Sequence, residues 1–445
     1  MILKTFIISL FVIFIYISPS YSQTSIKLKD ALYLALKNNR EIQALEESLR
    51  AQDRDVSIAR SNLFPRITFE ERFLRTSNPT YSFMSKLNQA RFTELDFYLP
   101  NLNHPNPTND FQTLLSFEQP IFVKKLNVAI DMAKRGVVSK EFELHRKKEE
   151  VTYRVMQAVT AIKTIKGFIE VSNKAVQEAE EIKRIADIRY KNNLGLLSDR
   201  LRAETSLLEA QQRLLKVEKD LHIAKRALGL LLSKDEPVDI LDEDLIKLEV
   251  KTLQEYLSLY DGRQDLKGMY IKLDMADKNI EMSKAEYYPV IGIAGSYQMN
   301  DHKRPFGSEG ESWQILAFLR WNIFDSFKRN HEHQKAIHQK RELEHHLKSL
   351  RSQIEYSIHE AYEDYKLLKN SVEIATSNLK TAEEGKRLIK IRYENGLSPI
   401  IDLLSAQTVL DSARANLNEK QNSLYLSILN LKLQSGILLK ELNLQ

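Results

Sequence analysis

The chain has 445 residues, no cysteine, only 13 glycines and 11 prolines, and a charged fraction of 28%. So few turn-forming residues predict few and long elements, and so much charge excludes a bundle of apolar membrane helices. The net charge of +5 comes from basic residues interleaved with acidic ones, which gives nucleic acid no basic face to bind. The missing cysteines exclude disulfides, thiol chemistry and a lipid anchor on an N-terminal cysteine.

Residues 1–22 read as a secretory signal peptide. Lys4 supplies the positive start, Phe6–Ile17 an apolar run too short to span a bilayer, and Ser18–Ser22 a small-residue cleavage zone before polar sequence. An exported chain without disulfides must hold itself together by packing or by oligomerisation.

The first structural repeat is expected over 23–233. It opens with a helix from Lys29 to Asn62, with Ala31, Leu32, Leu34, Ala35, Leu45 and Leu49 near one stripe. Two strands follow, at about 66–74 and 111–122, in which Ile67, Phe69, Leu115, Phe117 and Ile121 alternate with polar residues. The Asn- and Pro-rich stretch Arg75–Asp110 between them reads as a loop. A helix without proline then runs from Asn127 to about Asn192, and another from Leu196 to Leu232 carries Leu201, Leu207 or Leu208, Leu214, Leu221 and Leu228 at near-heptad spacing. At 1.5 Å per residue, a rod of about 65 residues is roughly 100 Å long.

An acidic linker over 234–251 precedes a second repeat over 252–445. Its helix from Leu253 to Tyr287 leads to strands at about 290–299 and 313–324, joined by the shorter loop Asn300–Ser312. Trp313 and Trp321, the only two tryptophans, share one face of the last strand. Eight residues of strand are roughly 26 Å, the spacing expected of interfacial aromatics at the edges of a membrane band. Helices from Phe327 to Asn395 and from Ile400 to Ser435 complete the repeat, the latter with Leu403, Leu410, Leu417, Leu424 and Leu431 every seven residues.

The duplication is explicit in two stretches. "RYKNNLGLLSD" from Arg189 pairs with "RYENGLSPIID" from Arg392 without a gap, at an offset of 392 − 189 = 203. Each lies where a long helix must reverse. Asn192, Asn193, Gly195, Asn395 and Gly396 are candidates for positive φ in the turns, and Ser198 and Ser398 for caps of the helices that follow.

These doubled tips, the strand ends "LFPRI" from Leu63, "YYPVI" from Tyr287 and "EQPIF" from Glu118, and "LLSAQTVLDSARANL" from Leu403 together resemble the TolC family of outer-membrane channels. The fold class that the resemblance implies is mainly α with a membrane β-barrel. Each protomer gives a coiled-coil tunnel and four strands to a twelve-stranded barrel in a homotrimer. Closure also follows from physics, since hydrocarbon does not tolerate the open edges of a four-stranded sheet. Twelve strands leave a conduit where eight would be filled by side chains.

The resemblance further implies a periplasmic gate and a docking surface for a partner. Tyr393 matches a residue that holds the entrance closed and Asp402 an acidic ring at the constriction, with Asp199 at the equivalent place in the other repeat. Ser398 and Ser405 stand where a well-studied member has a gating arginine and a second aspartate, and "VKK" after Phe122 replaces a common glycine. Arg189, Tyr190, Gly195, Leu196, Leu197, Ser198, Arg392, Gly396 and Leu397 fall on the tips that meet a periplasmic adaptor, itself joined to an inner-membrane pump or ABC transporter. Outer-membrane lipid is the other partner. No cofactor and no metal is implied.

Other chemistry finds little support. Glu342 and His345 in the His-rich run 331–346 give one Glu-x-x-His element where a diiron bundle needs two, so the run reads as a solvated helix face. Phosphate loop, nucleophile elbow and cysteine nucleophile are all missing, so the chain reads as no enzyme. The competing reading is a secreted coiled-coil structural or adhesin-like protein, against which the duplicated membrane-length hairpins argue.

Overall fold

The computed structural model describes residues 24–241 and 246–444. The signal peptide expected over 1–22 and four residues of the linker lie outside them. In chain order the elements are β1 (Thr24–Ile26), α1 (Leu28–Asn38), α2 (Arg40–Ser61), β2 (Arg66–Thr76), α3 (Pro79–Asn88), a 3-10 turn (Glu94–Phe97), α4 (Leu99–Asn103) and β3 (Thr108–Phe122). Then come α5 (Lys124–Lys191), α6 (Leu197–Leu231), β4 (Val238–Ile240), α7 (Leu253–Leu259), a 3-10 turn (Tyr260–Gly262) and α8 (Gln264–Ala285). The chain closes with β5 (Val290–Asp301), β6 (Gly310–Arg320), α9 (Lys328–Glu394), α10 (Ile400–Gln434) and α11 (Leu438–Glu441). No described helix is long and apolar enough to cross a membrane.

Several elements depart from the sequence expectation. The first long helix is broken at Asn39, whose backbone is extended. The buried Asn39 side chain accepts from Glu41 N at 3.0 Å, capping the start of α2, and donates to Leu231 O at the end of α6 at 2.9 Å. The second repeat breaks at the same stage, with α8 starting only at Gln264. Arg75–Asp110 is not a plain loop but holds α3, a 3-10 turn and α4. β6 ends at Arg320, so Trp321 lies one residue past the strand and its indole donates to Tyr287 O at 3.1 Å.

The described chain forms two compact units. The first comprises the chain up to Gln43, Lys147–Tyr260 and everything from Ser357 onward. Here the C-terminal parts of α5 and α9 pack with α6 and α10. The seam of α10 follows expectation, with Leu403, Leu410 and Leu431 buried. In α6 it does not. Leu201 and Leu208 are exposed, and Ala203 and Ala210 take the buried heptad positions, because small side chains let helix backbones approach closely. Away from the tips β1 and β4 pair in parallel, and Asp239 receives Lys225 at 2.8 Å and Lys166 at 3.0 Å.

The second unit is Ala44–Arg146 with Asp261–Tyr356. Its centre is one antiparallel sheet of order β2-β3-β5-β6, the two hairpins joined through β3 and β5. Period-2 alternation gives the sheet two unlike faces. One carries Ile67, Phe69, Leu115, Tyr297, Trp313 and Ile315, all exposed. The other carries Thr68, Ser116, Ser296 and Gln314 in one cross-strand row and Arg72, Gln112, Asn300 and Gly310 in another.

Candidate gate and membrane band

The doubled motif is a helix stop of one kind, made twice. In the first copy Leu194 N donates to Arg189 O at 2.8 Å and Asn193 N to Tyr190 O at 3.0 Å, with Asn193 at φ 55°. In the second Leu397 N donates to Arg392 O at 2.8 Å and Gly396 N to Tyr393 O at 3.0 Å, with Gly396 at φ 74°. This is the Schellman arrangement, whose left-handed residue glycine or asparagine takes at least cost. Asn192, Asn395 and Gly195 were the other candidates and do not have positive φ. A Cβ on Gly195 would meet Arg189 Cβ at 3.1 Å, so its smallness serves a close approach.

The proposed serine caps are not made. Ser198 lies inside α6, whose N-cap is Leu196, and α10 is preceded by Pro399, neither with a side-chain cap bond. Ser398 stands one residue too early, and its buried hydroxyl has no hydrogen-bond partner among the described residues.

Beneath the turns, Ile182 and Ala186 of α5, Ala203 of α6, Tyr393 of α9 and Ile400 and Leu403 of α10 form one buried cluster. Arg189 spans it at the rim. Its guanidinium donates to Tyr393 O at 3.0 Å, Glu394 O at 3.1 Å and Leu194 O at 3.1 Å, and sits 5.2 Å from the Tyr393 ring centre. It thereby supplies donors to the last carbonyls of α9, where helix polarity favours a cation. Burial pushes the Tyr393 phenol above its ordinary value, with Arg189 opposing and Asp199 reinforcing the shift. The ring is therefore neutral across physiological pH.

The remaining expected residues divide. Arg200 pairs with Asp187 at 2.9 Å and lies 6.0 Å from the Tyr190 ring, which ties α6 to α5 next to Asp199. Asp199 and Asp402 stand in the first turns of α6 and α10. Asp402, Ser405 and Arg392 are exposed, as are Leu196, Leu197 and Leu397. The chain thus brings Arg189 onto Tyr393 with Asp199 nearby, sets Tyr190 against Arg200, and leaves Asp402 and Ser405 exposed.

A second node, which the sequence does not mark, lies one helical turn further from the tips. Glu178 of α5 receives Lys386 of α9 at 3.4 Å and Arg414 of α10 at 3.3 Å, and the buried Gln407 donates both to Glu178 and to Asp411, the latter at 2.8 Å. Burial, with Glu178 nearby, pushes the Asp411 carboxyl up despite the Gln407 bond. Nothing in the sequence marks these residues, since each is an ordinary polar position of a long helix.

In the sheet unit the exposed apolar face forms a band. The row Phe69, Leu115, Tyr297 and Trp313 borders it on the loop side, because the next row is Glu71, Thr113, Met299 and Glu311. The pair of tryptophans expected on one strand becomes Trp313 in β6 and Trp321 just beyond it. The only metal-like group among the described residues is Asp301, His302 and Glu309, with ligand atoms within 4.8 Å of one another. His302 engages Glu309, and Asp301 accepts from Lys303 N at 2.6 Å and Arg304 N at 3.1 Å, so the group already serves to close the β5–β6 turn. The His-rich run gathers no such group.

Over residues 31–234 and 257–436 the sequence matches the family described as outer membrane efflux protein. The chain belongs to that family. As an outer membrane efflux protein it is an efflux-type outer-membrane channel, mostly helical, with a TolC-like fold. The fold is similar to that of a membrane protein from Pseudomonas aeruginosa, at 17% identity and a TM-score of 0.76, with 92% of this chain and 93% of that chain covered. It is also similar to VceC from Vibrio cholerae, at 16% identity and a TM-score of 0.72, covering 92% and 95%, and to CmeC from Campylobacter jejuni, at 16% and 0.74, covering 92% and 85%. No curated protein matches the sequence.

Proposed function

We propose that this outer membrane efflux protein is the exit duct of a tripartite efflux pump or type I secretion system, a homotrimer whose protomers complete one twelve-stranded barrel. The observation that carries the reading is the sheet. β2 and β6 are each paired on one side only, and the face carrying Trp313 and Ile315 is exposed at 72% and 67%. An apolar band with open edges is untenable in water or in lipid. Edge-to-edge closure with further copies satisfies the backbone, turns the apolar face to outer-membrane lipid and turns the Ser–Gln face to a wet lumen.

Within that reading Trp313 and Trp321 sit at the membrane interfaces and the tips meet a periplasmic adaptor. Leu194, Leu196 and Leu397 are 67–69% exposed, which suits docking of an apolar partner rather than a solvated turn. The adaptor links the duct to an inner-membrane pump or ABC transporter, which supplies the energy. Tyr393 and Arg189 hold the entrance, and Asp402 rings it. A coiled-coil adhesin has no use for the apolar band.

Native mass spectrometry of detergent-extracted protein tests the assembly. A trimer is expected, and reconstituted trimers should conduct ions in planar bilayers. A stable monodisperse monomer with intact strand content overturns the proposal.

A further inference from the structure

The segment between β2 and β3 is built as a fixed body. Asn78 accepts from Thr80 N at 3.1 Å and Tyr81 N at 3.3 Å to start α3, with Pro79 at the first helical position. Lys86 pairs with Asp96 at 2.6 Å, and Phe83, Phe92 and Phe97 meet edge-on at 4.7 and 5.0 Å. The 3-10 turn is thereby folded back onto α3.

This body is anchored on the polar face of the sheet. Gln89, at the end of α3 and 1% exposed, donates to Asn109 O and Asp110 Oδ1, each at 2.8 Å. Asp110, fully buried, also accepts from Asn300 Nδ2 at 2.9 Å. A Cβ on Gly310 would lie 2.0 Å from Asn88 O, so the helix end rests directly on the backbone of β6. Arg72, Gln112, Asn300 and Gly310 form one row of the polar face, on the side opposite Trp313. α3 therefore crosses from the β2 side of the sheet to the β6 edge.

The segment's outer surface carries large apolar side chains among polar ones such as Glu94 and Asn101. Met84, Leu95, Phe97, Tyr98 and Leu99 are 51–72% exposed. Lipid cannot be what covers them, since the lipid-facing band lies on the other face. The β6 edge reached by Asn88 is the edge that must pair with β2 of the next copy, and β2 is where that copy's own segment begins. A threefold axis then brings three such patches around one lumen.

We propose that this segment is a lid inside the outer mouth, and that its apolar side chains pack against the same segment of neighbouring copies. The lid rests on the trimeric-channel reading above. A cysteine-free chain makes the test clean, because each introduced cysteine is unique. In intact cells producing the full chain, Ser116→Cys on the polar face should react with a small membrane-impermeant maleimide but exclude a maleimide carrying a bulky polyethylene glycol. Replacing residues 80–104 by a short Gly-Ser linker, or introducing Gln89→Ala, should raise labelling by the bulky reagent several-fold. Leu99→Cys should give covalent dimers with a short bifunctional maleimide, whereas Ile67→Cys on the lipid face should not.

Bulky-reagent labelling that is the same with and without the segment overturns the lid, and so does a failure of Leu99→Cys to cross-link in a native trimer. If the small reagent fails to reach Ser116→Cys even in the lidless trimer, the polar face lines no wet mouth. The barrel reading then falls and takes the lid with it.

Discussion

The Arg189 guanidinium lies 5.2 Å from the centre of the Tyr393 ring and donates to the Tyr393 carbonyl at 3.0 Å. One residue of the first helical hairpin thus grips the end of the second by ring face and backbone together. A cationic hydrogen bond contributes roughly 1.5–3 kcal/mol and a partly exposed cation–π contact about 0.5–1 kcal/mol. If tip separation opens the entrance, losing about 2 kcal/mol shifts the closed-to-open balance about 30-fold.

Arg189→Ala is therefore expected to raise single-channel conductance and open probability of the trimer. Arg189→Lys should recover little, because one ammonium cannot reach three carbonyls and stack on a ring. Tyr393→Phe should stay near wild type, since the contacts use the ring face and the backbone. Wild-type conductance from Arg189→Ala would show that the grip on Tyr393 is not what closes the pore.

What the sequence disclosed here was the place, not the device. Duplicated "RY" motifs marked both tips because a Schellman stop needs Asn193 or Gly396 at a fixed distance from the helix end. The same symmetry concealed the asymmetry that matters. Arg189 is half-buried across Tyr393 while Arg392 is exposed, and only the packing of the two hairpins separates them. Strands were legible through alternation, and long helices through the scarcity of Gly and Pro. The Asn39 break and α3 were not, because buried tertiary hydrogen bonds hold them: Asn39 to Leu231 O, and Gln89 to Asp110.

Asp239 offers a test of stability against pH. Burial pushes its carboxyl up, but hydrogen bonds from Lys225 and Lys166 outweigh that and hold it below the usual range. A depressed folded value means the stabilisation is fully present above the unfolded value, about 3.9, and is lost as pH falls through the folded one. Asp239→Asn should cost about 3 kcal/mol at pH 7, because Lys225 is 7% exposed and loses its charge partner. Its penalty should begin to shrink below about pH 4 and vanish only below the depressed folded value, where wild type loses the pair as well. Chemical denaturation at both pH values reads this, and an equal penalty at both would separate the Asp239 contribution from its charge.

Labelling from outside the cell tests the orientation. Tags placed at Phe306 in the β5–β6 turn should be labelled on intact cells, and tags at Leu194 or Leu397 only after the outer membrane is breached. Phe306 and both leucines are more than 60% exposed, so tags there disturb little packing. The reverse pattern would invert the orientation of the duct.

Asp402 occupies the first turn of α10, where a carboxylate complements the helix dipole by roughly 0.3–1 kcal/mol, and a role as helix starter alone would account for it. Yet it is exposed in the chain, and Asp199, its counterpart at offset 203, sits beside the buried Tyr393 cluster. Around a threefold axis three Asp402 carboxylates would confront one another at the entrance, attracting cations and making the closed pore cation-selective. Ser405, one turn further along the same helix, adds no second ring, so block by multivalent cations should be weaker than in channels with two. Asp402→Ala is expected to lower cation selectivity and abolish that block in planar bilayers, while Asp402→Glu keeps both. If Asp402→Ala leaves selectivity and block unchanged, the residue only starts α10.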